Sequence, residues 1–381
     1  MLASWRSEPF RIFFPLGVLL GWIGIGHWVL YATGLTTSFS CFFHGLVQLQ
    51  AFLMAFAIGF LLTAVPRRTQ TLPPSWLEIV ALGALLIATT IAAMQEQWVL
   101  AEVAYGLLFV LLLQFALRRF LRSGAGRRPP AAFVLIPIGF LHGVGGAALI
   151  AASTMPRAAP WTFAFGRLLV EQGVFLCFAV GIGGLVLPLM GGTPPPADLG
   201  SSPKERWRAL AYGFAGLLIF TSLLLEQRGW TQGGPLLRAA VVVIGFTLGG
   251  RAWRVPGKPG LHRRLVWLAV WCMPIGLFIS GLWPDYRVAA LHILFIGGFA
   301  LMAFGVATHV ALSHVVELEP LALGSHPAVA VLGVTFLLAL LARLAADVSN
   351  NYFDHLGWAA AMWLVGSGVW LAFFGPKFLR P

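Results

Sequence analysis

Twelve apolar runs, each about as long as a bilayer is thick, follow one another with little between them. They lie at 10–33, 42–64, 76–94, 98–117, 132–153, 165–189, 206–226, 235–252, 263–282, 288–312, 327–347 and 356–374. A hydrocarbon core of about 30 Å takes ~17–25 helical residues to cross. No water there can satisfy a backbone N–H or C=O, so the spanning segments must be helices that bond internally. The runs therefore predict an all-α polytopic membrane protein of about twelve transmembrane helices. Composition agrees: 59% of the residues are hydrophobic and 10% charged, against about 25% charged in a soluble domain. The first run exceeds the ~7–15 residue core of a signal peptide and no A-x-A site follows it, so it reads as a retained span. The longest polar connections are 118–131 and 191–206, and the second holds Pro194, Pro195 and Pro196, a stiff linker. Residues 1–381 read as a single integral membrane domain, and two six-span halves meeting at 191–206 suit the length.

The net charge of +12 does not point to nucleic acid, because the charges sit in short loops between apolar runs. With the N-terminus inside, 19 of the 25 Lys and Arg fall at inner ends. The six at outer ends are Arg157, Arg167, Arg228, Arg238, Arg287 and Arg343. An excess of this size sets the orientation, with both termini inside.

Ionisable side chains within spans are costly and mark function by default. Nine histidines are present. At 1.5 Å per residue, His44 lies about 3–5 Å below the outer end of the second span. His292 lies about 6–7 Å below the outer end of the tenth, and His27 about 9 Å below that of the first. These three share an outer layer. His309 and His314 form a separate inner pair; the 22 helical residues from His292 to His314 span about 33 Å, so the two groups cannot share one metal. His262 and His326 fall in inner loops and read as unremarkable. Two imidazoles from two helices on one haem iron would be an economical use of the outer layer; the alternative is hydrogen bonding between helices.

Arg167 with Glu171, and Arg343 with Asp347, are spaced i,i+4 near the outer surface, so each can pair on one helix face. They serve either as neutralised, snorkelling pairs or as anchors for haem propionates. Cys41, Cys177 and Cys272 match neither a disulfide ladder nor a CxxC metal site, and read as apolar fillers.

Several stretches together resemble the NnrS family, haem- and copper-containing membrane proteins linked to nitric oxide. The opening Pro9-Phe10-Arg11-Ile12-Phe13-Phe14 is similar to that family's start. In the second span His44 precedes Gly59-Phe60-Leu61-Leu62-Thr63-Ala64-Val65-Pro66 and Thr69, where the family has His-x-His-Glu and then Gly-Phe-Leu-Leu-Thr-Ala-x-Pro. Gly183-Gly184-Leu185-Val186-Leu187-Pro188 resembles the family's Gly-Gly-Arg-Val-Ile-Pro. In the tenth span His292 is followed by Thr308-His309-Val310-Ala311-Leu312-Ser313-His314, similar to Thr-Arg-Val-Ser-Leu-Gly-His. The departures mark a divergent member: Leu46 and Val47 stand for the second His and the Glu, Leu185 for one arginine and His309 for another.

The resemblance implies a multi-pass protein of the bacterial inner membrane in nitric-oxide response, nitrosative stress or nitrogen-oxide respiration. It further implies haem of the b type, ligated by His44 and His292, with Arg167 or Arg343 near the propionates and His27 in reserve. A family-type copper site is not expected; His309 and His314 would be the place to look for one. Nitric oxide and a respiratory redox partner are the implied partners besides lipid. The catalytic subunit of haem–copper oxidases is also similar in outline, with twelve spans, an inner N-terminus and low-spin haem ligands on its second and tenth spans. The sixth and seventh spans, which hold that enzyme's copper ligands, contain no histidine here. The rival classes are a twelve-span secondary transporter and a structural subunit of a respiratory complex.

Overall fold

The computed structural model describes residues 2–121, 128–194, 196–315, 321 and 323–379. Arg122, Arg127 and Arg380, counted above with the inner ends, and Pro195 of the linker lie outside the described residues. Among the described residues the chain is helical, with one isolated bridge between Pro130 and Asp198.

Eleven helices are long and apolar enough to cross a membrane: α1 Phe10–Ala32, α2 Cys41–Thr69, α3 Trp76–Met94, α4 Trp98–Phe120, α5 Ala131–Ala152, α6 Trp161–Met190, α7 Pro203–Gln227, α9 Leu261–Leu282, α10 Pro284–His314, α11 Pro327–Ala346 and α12 Tyr352–Phe378. Between α7 and α9, and packed on both, is the shorter apolar helix α8, Gly233–Gly249. Its length is at the lower limit for a span, and a short span is accommodated by local thinning of the bilayer. With α8 the apolar helices among the described residues number the twelve that the apolar runs predict.

The helix ends show why polar residues flank each run. Ser40 caps α2 by accepting from the Phe43 N–H, and Ser75 with Glu78 forms a capping box at α3. Arg67 and Arg68 fall within the last turn of α2, where their charge suits the helix C-terminus. Glu8 bonds both Arg11 and Arg67, Arg119 reaches Glu78, and Arg68 pairs with Asp198. These pairs tie the basic ends of the helices to one another.

Consecutive helices pack mostly against their neighbours, and α12 returns to pack against α1 as well as α11. Inside this circuit stand α2, α6 and α10. They are the three longest of these spans, at 29, 30 and 31 residues, and their most apolar windows are 83%, 89% and 67% buried, against 28–56% for the other spans. Each carries a stretch of i→i+5 hydrogen bonding: Val47–Leu53, Leu169–Gly173 and Ile293–Ala300. Such stretches occur mostly as insertions within α-helices, frequently at functional sites. A fourth such stretch, Gly245–Gly249, ends the short helix α8.

Small residues allow the closest crossings. A Cβ on Gly146 of α5 would lie 2.8 Å from the Gly166 carbonyl oxygen of α6, and one on Gly166 would lie 2.8 Å from the Gly146 oxygen. Backbone faces backbone there, as small-residue helix interfaces permit. This crossing holds α6, and with it Arg167, at a fixed depth.

Candidate functional site

The three central helices enclose a cavity of about 620 Å3 at the arginine-poor end of the molecule. His44 comes from α2, Arg167 and Glu171 from α6, His292 from α10 and Arg343 from α11. All four side chains proposed from sequence as the principal site, His44, His292, Arg167 and Arg343, therefore line one space. Its walls are otherwise largely apolar, with Trp28, Phe52, Phe163, Phe295 and Trp363 among them. Concave, mostly apolar spaces of about 300–1,000 Å3 with a few convergent polar groups are the usual form of small-molecule and cofactor sites.

The two histidines are held alike. His44 Nδ1 is 3.0 Å from the Gly24 carbonyl oxygen of α1, and His292 Nδ1 is 2.7 Å from the Val288 oxygen one turn back in α10. A carbonyl oxygen can only accept, so in a neutral ring Nδ1 carries the proton. Nε2 then keeps its lone pair, the tautomer a metal ligand needs. A ligand's second nitrogen bonded to a carbonyl also fixes the ring's orientation. His44 and His292 lie within electrostatic reach of each other, and Arg343 lies within reach of both.

The arginines are anchored by acids. Arg167 Nε donates to Glu171 Oε1 at 2.7 Å, and Arg343 Nη1 donates to Asp347 Oδ1 at 2.9 Å, so both i,i+4 pairs exist. The Arg343 side chain is buried, while Arg167 is more open and lies over the Phe42 and Phe163 rings. A third group was not visible from spacing. Glu226 of α7 pairs with Arg238 of α8 and with Arg287 of α10, and Ser222 accepts from Arg238 at 3.4 Å. Glu226 and Arg287 line the cavity, and the Arg238 side chain is fully buried. Four of the six outer arginines thus gather at this one place, which accounts for their sitting against the charge bias.

The remaining candidates are distributed differently. His27 does not line the cavity; its ring lies 6.0 Å from that of His44, packed on Trp28 and Phe43. His309 pairs not with His314 but with His262, the rings near-parallel and the nitrogens 3.3 Å apart. His262 is thus buried in a helix rather than free in a basic loop, because α9 begins at Leu261 and draws it inward. His314 bonds the Val310 oxygen through Nδ1 and packs its ring on Phe10. Among the described residues no three His, Cys, Asp or Glu side chains cluster to hold a metal ion.

Fold and site define a polytopic, all-helical membrane protein with an imidazole- and arginine-lined cavity between its central helices. The chain belongs to the NnrS protein family, whose profile matches residues 4–381. No curated protein sequence matches it. Among solved structures it is similar to a haem–copper terminal oxidase dimer determined by cryo-EM, with a TM-score of 0.62 at 13% identity over 98% of this chain and 84% of that one. At that identity the likeness concerns the fold, and it bears out the resemblance in helix arrangement read from the sequence.

Proposed function

We propose that this protein is a haem-binding member of its family in the bacterial inner membrane, serving nitric-oxide response or nitrogen-oxide respiration. The observation that carries this reading is the pair of imidazoles, each with Nδ1 committed to a backbone carbonyl, lining one largely apolar cavity with Arg343 in reach of both. His44 and His292 would hold the iron, and Arg167 and Arg343 would neutralise the propionates. Bound there, haem would supply electron transfer or nitric-oxide binding. The chain's own part is to present two neutral nitrogen ligands, balance carboxylate charge and keep water from the ring with aromatic walls. The family's haem and the similar fold of a haem–copper terminal oxidase lend support, as does the burial of charge at the cavity rather than along a transport path.

The deciding measurement is an absorption spectrum of the purified protein with metal analysis. A Soret band with iron near one per chain is the expected result, and copper well below one per chain. A colourless, iron-free preparation that is folded would overturn the reading and favour a transporter. Reporter fusions check the orientation: Lys258 is expected to read cytoplasmic and Asp285 periplasmic. The reverse pattern would put the cavity at the cytoplasmic face.

A further inference from the structure

Next to the cavity lies a polar cluster with no place in the reading above. Glu102 of α4 is 1% exposed, and its Oε1 accepts from Gln50 Nε2 of α2 at 2.8 Å. Gln50 directly follows Gln48 and Leu49, which line the cavity, and Glu102 is within electrostatic reach of Glu171, which also lines it. Among the described residues three atoms of the cluster have no hydrogen-bond partner: Glu102 Oε2, Gln50 Oε1 and the hydroxyl of Tyr105. Tyr105 is fully buried and lies three residues from Glu102, on the same helix face.

What sets Glu102 apart is the lack of a cation. Glu171 is bonded to Arg167, Glu226 to Arg238 and Arg287, and Asp347 to Arg343. Each of those carboxylates thus has a cation bonded to it. Among the described residues no Lys, Arg or His pairs with Glu102. The packed elements do not provide one: α3 offers only Glu78, bonded to Arg119 at the far end, and His142 of α5 faces Cys177 and Phe220. Both forms of the carboxyl are nevertheless served by its surroundings. The Gln50 amide and the Tyr105 hydroxyl can donate to a carboxylate, and Gln50 Oε1 can accept from a carboxylic acid.

We propose that Glu102 is the proton-exchanging group of this cavity. Resting on the haem reading, the step is this. Glu102 takes one proton from hydronium, breaking an O–H bond there, leaving water and forming an O–H bond at a carboxylate oxygen, when a haem held by His44 and His292 would accept one electron from a one-electron membrane donor. It returns that proton to water when a one-electron membrane acceptor would remove the electron. An electron added in a low-dielectric interior raises the local negative charge, and the one uncompensated acid nearby is the group that answers it. The net charge of the site is then unchanged by the electron. Glu102 does not touch the iron, so it is a positioning residue for charge rather than a ligand.

The test is a spectroelectrochemical titration of the full-length protein at several pH values, with infrared difference spectra of the same samples. The wild-type midpoint potential is expected to fall with rising pH, by up to 59 mV per pH unit for one proton per electron. In Glu102→Gln the slope should vanish while the Soret band stays in place, and Glu102→Asp should restore a slope. The wild type should also show a redox-linked carboxyl C=O band, shifted in D2O and missing from Glu102→Gln. A slope or carboxyl band that survives in Glu102→Gln overturns the proposal, as does a wild-type potential independent of pH. A preparation without haem refutes the cofactor reading instead. Its pH-induced infrared spectrum still decides Glu102: a carboxyl band lost in Glu102→Gln supports a titrating group, and an unchanged band overturns it.

Discussion

His44→Ala and His292→Ala should each lose the haem or convert its spectrum from low to high spin, whereas His309→Ala should leave it as in the wild type. Changing only an outer-shell partner of a metal ligand typically costs ~10–100-fold in affinity, and removing the ligand should exceed that. The backbone carbonyls that orient the rings, on Gly24 and Val288, remain in both variants. Loss of colour would therefore report the missing Nε2 and not a collapsed helix, which circular dichroism of the same samples would check. His309 serves as the control because it lies at the opposite end of α10, on His262. Soret and α bands unchanged in both His44→Ala and His292→Ala would show the outer histidines to be packing residues.

The second large effect is expected at Glu226. Glu226→Ala leaves Arg238 in a fully buried position without its acid, with Ser222 as its remaining hydrogen-bond partner among the described residues. Removing one member of a buried ion pair costs roughly 3–5 kcal/mol. The variant should be recovered in low yield and melt well below the wild type in detergent. The double variant Glu226→Leu with Arg238→Leu should recover most of the loss, because a buried pair replaced by apolar side chains is often neutral. Arg287, which is partly exposed, can turn to solvent in that background. A double variant as unstable as Glu226→Ala alone would mean that Arg287 depends on Glu226 as much as Arg238 does.

These two predictions separate what sequence could reveal from what it could not. The helices were legible because lipid imposes a length and a composition on every span, and even the short α8 carried an apolar run. His44 and His292 were legible through depth, since a residue's distance along a helix converts directly into height in a membrane. The Arg167–Glu171 and Arg343–Asp347 pairs were legible because both partners sit on one helix at a known spacing. Glu226, Arg238 and Arg287 come from three helices, and nothing local in any of them announces the others. Glu102 and Gln50, 52 residues apart, were hidden for the same reason. His262 was misplaced because basic neighbours, Arg263 and Arg264, gave it the look of a loop residue, while the helix start at Leu261 turns it inward. The i→i+5 stretches left no trace, because they change the helix's bonding without changing its apolar composition.

Those stretches have a consequence for how the chain tolerates change in length. An α-helix turns about 100° per residue, so deleting one residue normally rotates everything beyond it onto the wrong face. A wide turn is one residue longer than the α-turn it replaces. Deleting one residue within Val47–Leu53 can therefore be absorbed by tightening the bonds to the ordinary pattern, leaving Met54–Thr69 in its present packing. The part of the helix before the deletion keeps its phase as well, and His44 its direction. The same holds for Ile293–Ala300 and His292. In both helices a local surplus of chain sits beside the imidazole, so one residue can be lost there without turning the histidine away from the cavity, whereas the same loss within Met54–Thr69 would rotate one half of the helix against the other.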